Sequence, residues 1–305
     1  MKKKILIVGG SGFIGYHLAK GCLKKKWNVV SISTHKPKKK RYLKKVKYII
    51  CDISEKKILK KKIKEKFNYV VNLGGHVDHS NSKKTFLSHY IGLKNLAEIF
   101  QLKKPELFLQ IGSGGEYGKS KSPHTEENEN KLGKSVYYKS KFLASEHLVS
   151  LFRKKNFPST ILRLYQIYGP RQDKNRIVPI VIDNCLKNKT FNCSSGLQWR
   201  DFLYVQDLVN CIFKVFRYKN RVKGEIINIG SGKTMQVKKI ISLVREKIGK
   251  GRPLFGKIKM REDEILKVYP SIKKANKILN WKPSTHLSRG LQFTINDYEN
   301  LRGLK

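Results

Sequence analysis

Lys4-Ile-Leu-Ile-Val8, followed at once by Gly9-Gly-Ser-Gly12-Phe-Ile-Gly15, is the stretch on which the reading of the fold turns. Ile5 to Val8 is a short, continuous apolar run, the pattern of a strand buried on both faces. Beyond the glycines, Phe13, Ile14, His17 and Leu18 recur at helical spacing. A glycine turn between a strand and a helix lets backbone approach a pyrophosphate closely, and the helix N-terminus supplies N–H donors and the positive end of its dipole. The stretch therefore predicts a dinucleotide site built from Gly9, Ser11, Gly12, Phe13, Ile14 and Gly15. The same glycines break the apolar run after Met1-Lys-Lys-Lys4, which argues against a signal peptide.

Working outward, Asn28 to Ser31, Lys47 to Ile50, Tyr69 to Leu73, Leu107 to Ile111 and Ser159 to Arg163 read as further short strands separated by helical patterns. Alternating strands and helices imply right-handed crossovers and a parallel sheet covered on both faces, a Rossmann-like doubly wound α/β fold. After Pro170 the pattern loosens, with helices expected near Val178 to Lys187, Val205 to Phe216, Val237 to Ile248 and Leu287 to Asn300. The expected organisation is a dinucleotide-binding domain over 1–165 and a smaller substrate lobe over 166–305, with segments near 199–230 returning to the first domain.

Composition bounds the function. A chain of 305 residues with 39% hydrophobic content buries a core without disulfides or metals. Cys22, Cys51, Cys185, Cys193 and Cys211 are widely spaced and lack a paired ligand pattern, which suits reduced thiols, a cytoplasmic setting and no metal site. No apolar run reaches the roughly 18 residues of a membrane span. The formal charge of +44 raises an RNA-associated reading, but lysine is dispersed along the chain, thickening only at Lys36 to Lys47 and Lys56 to Lys66. Such a distribution describes solvated faces that attract anionic small molecules, and no specific nucleic-acid partner is expected.

The end of the second strand reads Ser33-Thr34-His35-Lys36, with no carboxylate for the adenosine ribose hydroxyls. Ser33 and Lys36 would accommodate a 2′-phosphate, so the cofactor is NADP or NAD with the balance towards NADP. Asp52, with Ile53, is placed to meet the adenine, or else Asp52 caps the following helix in competition with Ser54. Further on, Tyr137-Tyr-Lys-Ser-Lys141 opens a helical stretch that puts Tyr137 and Lys141 on one face. A tyrosine titrates near ~10, and an adjacent ammonium favours its phenolate, making it a proton donor and acceptor nearer neutrality.

With these residues in order, the chain resembles the extended short-chain dehydrogenase/reductase family, the group of sugar-nucleotide epimerases, dehydratases and reductases, over nearly its whole length. The resemblance rests on the glycine turn, Ser113-Gly-Gly-Glu-Tyr117-Gly118, Tyr137 to Lys141, Leu162-Arg163 to Tyr168-Gly169-Pro170, and Arg200-Asp-Phe-Leu-Tyr-Val-Gln-Asp207. It implies a Ser113, Tyr137 and Lys141 catalytic group, with Lys141 and Tyr137 also touching the nicotinamide ribose. Gln166 and Arg200 would hold the substrate's diphosphate, Arg200 being the firmer because its neighbours match, while Arg261 joins them only by its position in the substrate lobe, with a surface charge as its alternative reading. It also implies a homodimer packed through helices Thr85 to Leu102 and Tyr138 to Asn156.

Departures from the family pattern narrow the reaction. Gly114-Gly115 stands where sugar 4,6-dehydratases carry an acid pair, so dehydration is disfavoured unless Glu116 substitutes. His89, three before Gly92, replaces a frequent asparagine, and His76, Asp78 and His79 follow the fourth strand without metal spacing. The expected activity is hydride transfer at carbon 4 of a nucleotide-activated sugar, an NADPH-dependent 4-keto reduction in first place and an NAD-dependent 4-epimerisation as the alternative. A non-catalytic dinucleotide-binding module is the reading from another class, and the intact Ser113, Tyr137 and Lys141 oppose it.

Overall fold

The computed structural model describes residues 2–76, 81–260 and 264–303. Its first half alternates as the apolar runs require. Strand β1 (Lys4–Val8) leads through the glycine turn to α1 (Phe13–Lys24), followed by β2 (Asn28–Ser33), β3 (Val46–Ile50), α2 (Lys56–Lys62) and β4 (Tyr69–Asn72). Next come α3 (Ser82–Phe86), a π-helical turn (Leu87–Ile91) and α4 (Gly92–Leu102), where one uninterrupted helix from Thr85 was expected. The π turn is a tertiary effect, because it seats the His89 ring against Gly75. Strand β5 (Leu107–Ser113), α5 (Val136–Lys155) and β6 (Ser159–Leu164) complete this half.

The second half begins with β7 (Gln166–Tyr168), α6 (Ile177–Leu186), β8 (Thr190–Asn192) and β9 (Trp199–Tyr204). Then α7 (Val205–Arg217) and α8 (Lys219–Val222) carry the chain back to β10 (Ile226–Ile229). It ends with β11 (Thr234–Gln236), α9 (Val237–Ile248), β12 (Arg252–Leu254), β13 (Lys267–Val268), α10 (Lys273–Leu279) and α11 (Leu287–Asn300).

Seven parallel strands form the main sheet in the order β10-β6-β5-β4-β1-β2-β3. The winding reverses between β1 and β4, so the glycine turn after β1 opens at the topological switch point, where ligands of such sheets bind. The strands have apolar side chains on both faces because helices cover both. Ile5, Ile7, Val71 and Leu109 face one layer that includes α1 and α7, and Leu6, Val8, Val70 and Phe108 face the other, with Leu93 and Leu96 of α4 and Leu148 of α5. Buried polar side chains interrupt the strands at Ser31, Asn72, Gln110 and Asn228 and at Ser159, Thr160 and Arg163 of β6, the last three all hydrogen-bonded.

A separate apolar cluster joins α6, α9 and α11. It packs beside a small sheet in which β9 pairs antiparallel with β11 and parallel with β13 and β7. Strand β9 stays in that small sheet, whereas α7 packs on α1 and β10 pairs with β6, so the return to the large sheet is made by residues 205–229. No helix among the described residues is long and apolar enough to cross a membrane.

Candidate active site

The glycine turn is shaped by what cannot fit in it. Gly9 has φ +78°, and a Cβ on Gly10 or Gly15 would lie 2.3 Å from Ser31 Oγ or 2.4 Å from the Gly9 carbonyl oxygen. A Cβ on Gly12 would meet nothing nearer than that same oxygen, at 3.1 Å, and Gly12 caps α1 without a side-chain hydrogen bond. The first-turn N–H groups of α1, starting at Phe13 and Ile14, are thus left for a ligand, the arrangement a dinucleotide pyrophosphate requires. The Ser11 N–H is already engaged by Ser33 Oγ at 3.2 Å, so Ser33 braces the turn from the end of β2. Lys36 is exposed in the following loop, and no carboxylate occupies residues 33–36.

Asp52 does not cap α2, whose N-terminal position falls to Glu55. Its carboxylate accepts from the Ser54 N–H and hydroxyl, both at 2.8 Å, a local turn that competes with a helix cap. Ile53 is buried, packs under Gly74 and Gly92, and its carbonyl accepts from Asn95.

Ser113 ends β5 as the cap of a 3-10 turn over Gly114–Tyr117. Its hydroxyl accepts from the Gly115 N–H at 3.1 Å and its N–H donates to Glu116 at 2.7 Å. The Ser113 hydroxyl proton therefore remains for a second partner, and that partner is Tyr137. The cap of α5, Ser135, accepts from the Tyr138 N–H, which places Tyr137 in the first turn and Lys141 one turn deeper. Ser113 and Tyr137 consequently meet across the β5 to α5 junction, while Lys141 reaches back to β5 at Ile111.

The charge states differ from the expectation. Burial pushes the Tyr137 hydroxyl up to about 12, opposed by its bond with Ser113. Lys141 is buried and donates to the Ile111 carbonyl at 2.7 Å, and burial brings its ammonium down to about 8. Desolvation outweighs the attraction the Tyr-x-x-x-Lys spacing suggested: the tyrosine rests protonated, and the lysine is held on backbone. His89 packs edge-on against Tyr137, ring centroids 5.0 Å apart, and its Nε2 lies 3.1 Å from the His76 carbonyl. Asp78, His79 and Arg261 lie outside the described residues.

A cavity of about 180 Å³ opens beside Ser113 and is lined by Gln166 and Arg200 as well as Tyr138, Tyr165 and Glu264. Arg200 forms an ion pair with Glu264 and donates to the Trp199 carbonyl at 2.8 Å. The glycine pair after Ser113 has a steric cause. A Cβ on Gly114 would stand 2.5 Å from the Tyr165 ring, and one on Gly115 would stand 1.9 Å from the Tyr138 ring. Glu116 does not replace an acid pair, because it is fully buried and its second oxygen accepts from Ser145 at 2.7 Å and from Arg163 at 2.9 Å. Tyr138, Tyr165 and Glu264 were not singled out in the sequence: Tyr138 and Tyr165 sit inside motifs valued for other positions, and Glu264 meets Arg200 only through tertiary pairing. Asp201 and Asp207, in the Arg200 segment, are structural. They accept backbone N–H groups of Ser231 and Gly232, and of Ser284 and Thr285.

A doubly wound sheet with a glycine turn at its switch point and a serine, tyrosine and lysine at the adjoining strand end defines the nicotinamide-dependent short-chain class. The profile of the NAD dependent epimerase/dehydratase family matches residues 5–230, and the chain belongs to that family. A Methanocaldococcus jannaschii protein named for UDP-glucose 4-epimerase activity is 28% identical, with 97% of this chain and 98% of the relative covered. The human dTDP-D-glucose 4,6-dehydratase is also 28% identical, over 99% of this chain and 92% of the enzyme. Among solved structures, a Bacillus cereus UDP-glucuronic acid 4-epimerase in complex with UDP-glucuronic acid and NAD is 26% identical, with a TM-score of 0.86 over 98% of this chain and 99% of that one. The cofactor is accordingly a nicotinamide dinucleotide.

Proposed function

We propose that this chain inverts carbon 4 of a nucleotide-activated hexose, keeping NAD bound through the cycle. The carrying observation is the pairing of Ser113 and Tyr137 beside a cavity whose Gly114-Gly115 floor is roofed by tyrosine rings. One proton-transferring hydroxyl is on hand, and Glu116, the candidate second acid, is locked in a buried ion pair. Elimination of water needs a further acid and base, whereas inversion through a 4-ketone needs a single proton and a single hydride moved out and back.

A nicotinamide at the switch point supplies the hydride acceptor and donor. Arg200 and Gln166 anchor the diphosphate, so that remote binding energy holds the reacting carbon in place. Tyr137, which rests protonated, first loses its own proton to solvent as Lys141 comes up beside it. The resulting phenolate takes the proton of the carbon 4 hydroxyl as the ketone forms and returns it after the sugar has turned. Ser113 donates to the same oxygen, and Lys141, released from the Ile111 carbonyl, stabilises the phenolate. The 28% identity to a relative named as a 4-epimerase over the full chain supports this reading.

Reduction of a 4-keto sugar by NADPH is the second reading. Two observations favour it: the absence of a carboxylate at residues 33–36, and a Tyr137 that rests protonated and ready to donate. The deciding experiment incubates the purified protein with UDP-glucose and no added cofactor, then with a nucleotide-linked 4-keto sugar and NADPH. Formation of the 4-epimer in the first mixture is the expected result. Activity confined to the second assigns the reductase, and activity in neither removes both.

A further inference from the structure

Beyond Ser113 the cavity wall includes Tyr165, which is hydrogen-bonded to a histidine behind the wall that the hydride chemistry leaves unused. His124 is fully buried, and its Nε2 lies 3.1 Å from the Ser120 carbonyl oxygen. A carbonyl oxygen only accepts, so Nε2 carries the ring proton. Burial keeps the imidazole neutral, and the neighbouring Arg163 acts in the same direction. Nδ1 is therefore a bare lone pair, and the Tyr165 hydroxyl stands 2.9 Å from it. The Tyr165 proton must point at His124, which leaves the phenol oxygen able only to accept from anything else.

This polarity is built into the fold. The His124 backbone pairs with Tyr269 and Ser271, its carbonyl also takes the Asn228 amide at 3.1 Å, and the Tyr117 ring packs 4.7 Å from the imidazole. On the other side the Tyr165 ring lies over Gly114, the residue after Ser113, and forms part of the cavity wall. The Tyr165 side chain thus belongs to the same wall as Ser113. We propose that Tyr165, held as an acceptor by His124, recognises a sugar hydroxyl flanking the reacting carbon and selects hydroxylated sugars over deoxygenated or carboxylated ones. A hydroxyl donates into the lone pair, a deoxy carbon leaves it unmet, and a carboxylate opposes it with lone pairs of its own.

The inference rests on the sugar-nucleotide reading, and its test separates the two. Wild type and Tyr165→Phe are compared by calorimetric affinity and by turnover with UDP-glucose and its 3-deoxy and 6-deoxy analogues, and UDP alone checks that the variant's nucleotide site is intact. Tyr165→Phe is expected to weaken UDP-glucose about tenfold, the value of one hydrogen bond, with a smaller change in kcat. On the analogue lacking the recognised hydroxyl, wild type and variant should be equal. Unchanged affinity for UDP-glucose, or the same loss on all three sugars, overturns the role of Tyr165 while leaving the enzyme reading in place. A wild type that neither binds nor converts UDP-glucose or its analogues removes both.

Discussion

Glu116 and Arg163 form an ion pair at 2.9 Å with both side chains out of solvent, 0% and 2% exposed. The same carboxylate accepts the Ser113 N–H and the Ser145 hydroxyl, so one buried charge ties the end of β5 to β6 and to the helix that carries Tyr137 and Lys141. Glu116→Ala leaves a guanidinium buried without its partner, which costs about 3–5 kcal/mol. Urea unfolding measures this, and a loss below about 1 kcal/mol would show that water or another group replaces the carboxylate.

Lys141 is the converse case, a charge the fold holds at a cost. Its ammonium titrates at about 8 when folded and at 10.5 when free, so between those values the unfolded chain binds the extra proton and wild-type stability rises with pH. Below pH 8 the penalty is present in full. Lys141→Met is expected to abolish turnover yet be more stable than wild type at pH 7, by up to about 3 kcal/mol less the lost bond to Ile111. The advantage should shrink as pH approaches 10.5. Paired urea titrations at pH 7 and pH 10 read the difference directly, and a variant less stable at both would contradict it.

Arg200 carries Glu264 as its counter-charge where the substrate's diphosphate is expected. Arg200→Ala should raise KM about ten- to hundredfold with little change in kcat, the pattern of binding shared by ground and transition states. Glu264→Gln frees the guanidinium and should lower KM. Steady-state kinetics on the two variants test the assignment, and opposite signs would place the diphosphate elsewhere.

The site was legible where chemistry is encoded locally. Strands β1, β4 and β5 are buried on both faces and read as largely apolar runs, and the glycine turn announces itself between β1 and α1. The small strands β7, β8, β11, β12 and β13 have two or three residues each, and only their partners make them strands. Distance in sequence hid the rest: Lys141 finds the Ile111 carbonyl, Arg200 finds Glu264, and the tyrosine rings cover Gly114 and Gly115 only after folding. The π turn around His89 depends on the space at Gly75, which no periodicity shows.

That roof also limits redesign. Gly115→Ala brings a methyl to within 1.9 Å of where the Tyr138 ring stands, and displacing that ring should cost about 1–3 kcal/mol and slow turnover. Grafting the acid pair as Gly114→Asp with Gly115→Glu should yield no dehydratase, as judged by the absence of a 4-keto-6-deoxy product. Appearance of that product would mean the tyrosines yield without penalty.

The most direct test of a self-contained hydride cycle is to denature the protein as purified and identify the released dinucleotide by mass spectrometry. Near-stoichiometric NAD is the predicted result. Empty protein that then binds NADPH in preference to NAD would contradict the retained-cofactor epimerase and transfer the site to a reductase.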